Sequence, residues 1–304
     1  MSREGPIVIT GAGGQLGRAL ARALSDLSPL PWTRAEADVT DPEIRARLRE
    51  VRPRAIIHAA AYTDVDGCET DPARAGEVNA KGTRNVALGA VAAEAHCIYV
   101  STDYVFDGLK GAPYTEADAP NPLNVYGRSK LAGEAHVRAL CPRHTILRTA
   151  WLYGPGGRTF VHAVADRARR EDRFEVVADQ VGSPTFTEDL AGVIRRVLEE
   201  QIFGLFHAAG EGWCSRYDLA VAIAAAIRPG VEVVPATTLR GARPARRPPN
   251  AALATEALRQ AGIRLRPWRD ALAAFLASSE APPPAPDAPM LPSNKSLARP
   301  PRPV

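Results

Sequence analysis

The sequence predicts an α/β protein: a doubly wound parallel sheet with a smaller C-terminal lobe. Three observations predict it. Short apolar runs alternate with amphipathic stretches through the first half of the chain. The runs are continuously apolar, as strands covered on both faces should be. A glycine-spaced loop joins the first apolar run to the first amphipathic stretch, where such sheets bind phosphate.

Taken in order, PIVIT (6–10) is the first strand and 15–27 the first helix. A second strand precedes Thr33 and Arg34. AIIHAA (55–60), CIYVST (97–102) and HTILRTAW (144–151) are further buried strands, with amphipathic stretches at 71–93 and 124–139. Parallel strands joined in this way need right-handed crossovers. The second half is less regular. Strands are expected at 174–179 and 204–210, and helices at 187–200 and 215–227, with Thr187 and Ser215 as N-caps. Residues 240–250, rich in Arg and Pro, should form a loop. A last helix spans 267–278, with Pro267 in its first turn. The expected organisation is a dinucleotide-binding core over 1–150, to which some later segments return. A mainly substrate-binding lobe covers 151–279, and a Pro-rich disordered tail covers 280–304.

Composition narrows the function. The 304 residues, 45% hydrophobic, suffice for one large core or two joined lobes. The 38 basic and 34 acidic residues give a net charge of +4, too small an excess for a nucleic-acid binder. Arg240, Arg243, Arg246 and Arg247 form a local basic cluster that reads equally as a solvated loop or an anion site. Cys68, Cys97, Cys141 and Cys214 form no C-x-x-C pair, so reduced thiols in the cytoplasm are expected. The N-terminus lacks an apolar signal segment, and no run of about eighteen apolar residues suggests a membrane span.

The loop VITGAGGQLGRAL sets Gly11, Gly14 and Gly17 three apart, after a strand and opening a helix. Gly11 permits the tight turn, Gly14 lets backbone approach a pyrophosphate, and Gly17 lets the helix pack on the sheet. Gln15 and Leu16 lie inside the same turn, whose free N–H groups face the anion. At the end of the third strand, Ala59, Ala60, Ala61, Tyr62 and Thr63 follow. Small side chains there either leave room for the cofactor or simply allow close packing. Arg34 stands where the adenosine ribose would be read and would suit the extra phosphate of NADPH; NADH is the alternative.

Two further stretches carry chemistry. VSTDYVFDG places Ser101, Thr102 and Asp103 at the end of a strand. NVYGRSKLAGE places Tyr126 and Lys130 four apart, on one helix face. A phenol has an unperturbed pKa of about 10 and needs tuning to act at neutral pH. A nearby ammonium would lower it, and Thr102 could hydrogen-bond the reacting oxygen.

The G-x-x-G-x-x-G spacing, with these elements, resembles the extended short-chain dehydrogenase/reductase superfamily. The resemblance implies a Rossmann-type sheet, a catalytic unit of Thr102, Tyr126 and Lys130, and a hydride from the nicotinamide. It also places Asp38 and Val39 beside the adenine. GQLG, STDYVFDG, NVYGRSKLAGE, LRTAWLYG and DQVGSPT, in this order, resemble the dTDP-4-dehydrorhamnose reductase family over roughly residues 5–278. RRPPNAAL (246–253), with Arg247, resembles that family's late substrate-side loop. This narrower resemblance implies reduction of the C4 ketone of dTDP-4-dehydro-6-deoxy-L-mannose to dTDP-L-rhamnose. Trp151 resembles the family's sugar-contacting aromatic, or else is a core tryptophan at a strand end. Related 4,6-dehydratases carry an Asp-Glu pair after the catalytic Thr. Here Asp103 is followed by Tyr104, which suits simple carbonyl reduction and leaves Asp103 to bind the sugar or orient the loop. Two other readings stand beside this one: a deoxysugar 4-ketoreductase of specialised metabolism, and a non-catalytic regulatory subunit on the same fold. Some relatives dimerise through metal-binding glutamates. The first helix here has no acidic residue near Gly17, so no structural metal is expected; a homodimer stays open.

Overall fold

The computed structural model describes residues 4–238 and 243–278. The expected tail at 280–304 and Arg240 lie outside the described residues. In chain order the first half contains β1 (Ile7–Thr10), α1 (Gln15–Ala23), β2 (Pro29–Trp32), α2 (Ile44–Val51) and β3 (Ala55–His58). There follow α3 (Val65–Thr70), α4 (Pro72–Ala75), a π-helical segment (Gly76–Gly82), α5 (Thr83–Ala92), β4 (His96–Thr102), α6 (Val125–Leu140) and β5 (His144–Thr149). The second half contains β6 (Leu152–Tyr153), α7 (Phe160–Arg170), β7 (Arg173–Val177), β8 (Val181–Gly182), β9 (Thr185–Phe186) and α8 (Thr187–Glu199). It closes with β10 (Gly204–His207), β11 (Cys214–Ser215), α9 (Arg216–Ile227), β12 (Glu232–Ala236), α10 (Glu256–Gln260) and α11 (Trp268–Ala277).

Six strands form one parallel sheet in the order β10-β5-β4-β3-β1-β2. The chain direction across the sheet reverses between β1 and β3, which is the switch point where such sheets leave a crevice. β2 contains Pro29 and Pro31, and it survives as a strand because it lies at the edge, where missing N–H donors cost little. The period-2 geometry of β1 sends Ile7 and Ile9 into a core with Leu20, Leu190 and Ile194 from α1 and α8. It sends Val8 into a second core with Leu48, Val86 and Val137 from α2, α5 and α6. Helices thus cover both faces. A third core, built on Val164, Phe174, Phe186, Ile223 and Phe275, belongs to the smaller lobe.

The structure departs from the sequence reading at several joints. The stretch 71–93 is not one helix. Asp64 and Asp71 cap two short helices through their carboxylates, and the chain then winds as a π-helix before α5. π-Segments often mark functional sites; here Asn79 within the segment bonds both backbone groups of Tyr62. Thr187 is the first residue of α8 rather than its cap, with Phe186 in the cap position. Ser215 does cap α9, in a reciprocal box with Asp218. Pro267 precedes α11 as its cap residue. The strand near 204–210 joins the main sheet, whereas the one near 174–179 pairs with β12 in the small lobe. Among the described residues no helix is long and apolar enough to cross a membrane.

Candidate active site

A cleft of about 720 Å³ opens above the carboxyl ends of β1, β3, β4 and β5, between the two lobes. That volume suits a cofactor-sized ligand. Gly11, Gly14, Gln15, Leu16 and Gly17 line one end, with Arg34, Asp38 and Val39 beside them. Ala59, Ala60, Ala61, Tyr62 and Thr63 form the adjacent wall.

Two glycines are dictated by geometry. Gly11 has φ +73°, and a Cβ there would sit 2.6 Å from the Ala60 backbone nitrogen. A Cβ on Gly17 would lie 2.3 Å from the Gly11 carbonyl oxygen. Only glycine lets strand end, turn and helix meet this closely. The N-terminus of α1 is unusually open. Gly14 occupies the cap position, no side chain caps it, and the first turn holds no acid. Its free N–H groups and positive dipole end therefore point at the cleft. A glycine-rich loop from the other lobe closes over this end: Gln15 Nε2 donates to Gly154 O at 2.6 Å, and Arg18 donates to Gly156 O. Asp38 Oδ1 accepts from the backbone and hydroxyl of Thr40, while Oδ2 pairs with Arg34 Nε at 3.1 Å. Arg34 is itself 73% exposed.

At the other end, Thr102 closes β4 and Tyr126 opens α6, whose cap Asn124 accepts from Gly127 N at 2.8 Å. The Thr102 hydroxyl and the Tyr126 phenol lie side by side in the cleft. Burial holds the phenol above its ordinary range, the Thr102 hydroxyl opposes this, and the nearby Asp103 adds to the rise. Lys130 lies one turn further along α6 and is buried. Its Nζ donates to Val100 O at 2.7 Å and stands 4.1 Å from the Tyr99 ring centroid. Burial pulls its ammonium down to about 7, against the pull of Glu134. The sequence expects Lys130 to lower Tyr126. In this structure the phenol is held above its ordinary range, and the Lys130 ammonium, one helix turn away, donates to Val100 O.

Asp103 is 2% exposed. Thr102 Oγ1 donates to its Oδ1 at 3.0 Å, but Oδ2 has no partner among the described residues. Burial pushes this carboxyl up to about 7, with Thr102 and Arg216 opposing. Thr149, at the end of β5, also lines the cleft with an unpartnered hydroxyl. Unsatisfied buried polar atoms of this kind need a partner. Together with the uncapped α1 and the glycine cradle, they make the cleft fit a dinucleotide and a polar substrate.

Trp151 has φ +44°, a left-handed conformation that costs a bulky residue of order 1–3 kcal/mol. The indole is held there by Gly182, where a Cβ would lie 2.4 Å from the ring, and by Arg216, whose Cζ is 3.6 Å from its centroid. Arg216, at the start of α9, was not singled out by the sequence. It lines the cleft beside Asp103 and Tyr104. No motif marks it, since its place depends on α9 beginning where β11 pairs with β8. Arg247 lies near Tyr104 at the cleft, and its guanidinium grips Asp66 (Nη2–Oδ2 2.9 Å), with Arg243 reaching the same carboxylate at 3.6 Å. Part of the basic cluster is thus an internal clamp on α3.

A parallel sheet with its switch-point crevice, a glycine turn under an open helix end, and a Tyr–Thr pair opposite define an extended short-chain dehydrogenase/reductase. The comparisons narrow this class. The family described as RmlD substrate binding domain matches residues 5–281. The dTDP-4-dehydrorhamnose reductase of Mycolicibacterium smegmatis is 42% identical over 273 residues, covering 88% of this chain and 83% of that protein. A crystal structure of dTDP-4-dehydrorhamnose reductase from Bacillus anthracis in complex with NADP is 36% identical. It superimposes with a TM-score of 0.86, over 90% of this chain and 99% of that one. A probable dTDP-4,6-dihydroxy-2-methyloxan-3-one 4-ketoreductase of Streptomyces antibioticus is 42% identical over 275 residues, covering 87% of this chain and 92% of that protein. The chain belongs to the dTDP-4-dehydrorhamnose reductase family.

Proposed function

We propose that this protein reduces the C4 ketone of dTDP-4-dehydro-6-deoxy-L-mannose to dTDP-L-rhamnose, using NADPH. The observation that carries the reading is the Thr102 hydroxyl and the Tyr126 phenol side by side, set in the same cleft as the open N-terminus of α1. When bound, the nicotinamide supplies the hydride. The protein supplies the rest. The α1 N-terminus, Gly14 and Gln15 receive the pyrophosphate, and Arg34 with Asp38 faces the adenosine ribose. Thr102 and Tyr126 hold the carbonyl oxygen of the sugar from two sides. Tyr126 gives its proton to that oxygen as it becomes an alcohol. An elevated phenol pKa keeps this proton in place until negative charge develops on the oxygen. Lys130, protonated, then stabilises the phenolate left behind. The Asp103 carboxyl, with its free Oδ2, is placed to hydrogen-bond a sugar hydroxyl, and Trp151 offers a flat apolar face to the ring.

The Streptomyces relative favours one second reading: reduction at C4 of another dTDP-deoxysugar, with the same machinery. Four free cysteines, all buried, support a reducing, cytoplasmic setting. The test is turnover of purified protein on a panel of dTDP-4-dehydro-6-deoxysugars with NADPH and NADH, with C4 configuration read by NMR. The expected product is dTDP-L-rhamnose with NADPH preferred. Selective turnover of a different deoxysugar would transfer the assignment to the second reading, and no turnover of any would overturn both.

A further inference from the structure

Behind the Tyr126–Lys130 face lies a buried ion pair that the chemistry above does not use. Glu134 is four residues beyond Lys130 on α6, and Arg148 lies on β5; both side chains are 1% exposed. The contact is two-pronged, with Arg148 Nε to Oε1 and Nη2 to Oε2 both at 2.8 Å. Ser101, next to Thr102, donates to Oε1 at 2.6 Å, and the half-exposed Arg138 reaches Oε2 at 3.2 Å. Arg148 Nη1 has no partner among the described residues. Burying two charges costs several kcal/mol per ion before their attraction is counted, and apolar residues often serve stability as well. Packing alone does not account for this arrangement.

Lys130 is the neighbour that needs it. Among the described residues its Nζ meets a carbonyl oxygen and an aromatic face. The groups around it come from every packed element. Tyr126 and Glu134 lie on α6, and Tyr99 on β4. His58 on β3 is stacked on Tyr99 at 5.4 Å and kept neutral by burial. Asp103 faces Tyr126 from the end of β4. Among these, Glu134 is the anion that favours the ammonium, and Arg148 is the cation that tempers Glu134. The same carboxylate also ties α6 to β4 through Ser101.

We propose that the Glu134–Arg148 pair is a positioning device for Lys130. The carboxylate keeps the ammonium protonated and in register with the β4 end, and the guanidinium limits how strongly it does so. This rests on the catalytic reading of Lys130.

The test is the pH dependence of kcat/KM for the dTDP-4-dehydro-6-deoxysugar with NADPH. Activity falls at alkaline pH as Lys130 loses its proton. Glu134→Gln removes the anion and keeps one acceptor oxygen for Ser101 and Arg148 Nε, while its amide nitrogen meets the donors on the other side; the alkaline limb should move to lower pH by roughly 0.5–1 unit. Arg148→Met leaves the anion untempered, so the limb should move to higher pH. The double variant removes both charges and should return the limb close to its original place. A merely structural pair would lower stability and turnover without moving the limb. An unmoved limb in Glu134→Gln, or one displaced the same way in Glu134→Gln and the double variant, overturns the proposal. If Arg148→Met does not fold, the other two variants still decide. Lys130→Met separates the two layers: if it retains the wild-type alkaline limb, the catalytic reading of Lys130 fails. If it abolishes the limb while Glu134→Gln leaves it unmoved, only the pair's role fails.

Discussion

Asp103→Asn should stabilise the protein at alkaline pH while reducing its activity. The folded-state carboxyl titrates at about 7, raised from 3.8 mainly by burial. Between these values the folded state binds more protons than the unfolded chain, so stability falls as pH rises from about 4 to about 7. At 1.36 kcal/mol per pH unit the full penalty above neutrality is roughly 4 kcal/mol. The substituted amide cannot ionise and so escapes it. The amide oxygen can still accept from Thr102 Oγ1, which now donates to Oδ1 at 3.0 Å. The amide nitrogen replaces Oδ2, which already lacks a partner among the described residues, so little is lost there. Urea unfolding at pH 5 and at pH 8 checks the sign. The variant should exceed wild type at pH 5 by about 1.5 kcal/mol, and at pH 8 by roughly 4 kcal/mol. Equal stability at both pH values would refute the argument, since it would mean that Asp103 ionises without strain. Catalytic efficiency should fall in the same variant, because a carboxyl that can both donate and accept towards the sugar has been replaced. A site that stores instability for function commonly shows this trade.

Tyr126→Phe removes the proton donor and should lower kcat by about 10²–10⁴-fold with NADPH affinity nearly intact, read by steady-state kinetics and cofactor titration; near-normal turnover would remove Tyr126 from its role. Arg34→Ala should cut kcat/KM with NADPH and spare NADH, changing the preference by roughly tenfold. That is less than a buried contact would give, because Arg34 is exposed and already shares its charge with Asp38; equal losses for both cofactors would mean it does not read the 2′ position. Gly17→Ala places a Cβ 2.3 Å from the Gly11 carbonyl oxygen and should weaken NADPH binding together with thermal stability; an unchanged Tm and Kd would show that the turn can relax at no cost.

Much of this site could be read from the sequence, because its parts are local. The glycine turn needs only spacing and a strand before it. Tyr126 and Lys130 need only one helix face. The strand-end residues Thr102, Asp103 and Ala59 follow once the strands are placed. What escaped the sequence is what depends on distant segments meeting. Arg216 reaches the cleft only because α9 begins where β8 and β11 pair. Glu134 looks like a surface acid on an amphipathic helix until β5 brings Arg148 against it. Arg247 sits in a motif of the expected kind, yet its guanidinium is drawn to Asp66, 181 residues earlier in the chain. The break at 76–82 also left no trace, since a π-turn uses ordinary helix-forming residues and is fixed by Asn79 bonding to Tyr62 and Ser129.

The tight seating of α6 explains how one helix can carry acid, ammonium and supporting carboxylate at once. A Cβ on Gly127 would fall 2.1 Å from the Tyr104 carbonyl oxygen, and one on Gly133 would fall 2.3 Å from the Tyr99 hydroxyl. These two glycines draw the helix onto β4, which sets Tyr126 beside Thr102 at one end and Glu134 on Ser101 at the other. Lys130 lies midway and is buried, and its Nζ donates to the Val100 carbonyl. Close approach therefore creates the desolvation that lowers the ammonium, and the same approach brings in the carboxylate that offsets it. Loosening the helix would relieve the first effect but lose the second. The charge on Lys130 is thus set by helix-to-strand distance, a quantity fixed by two side chains that are absent.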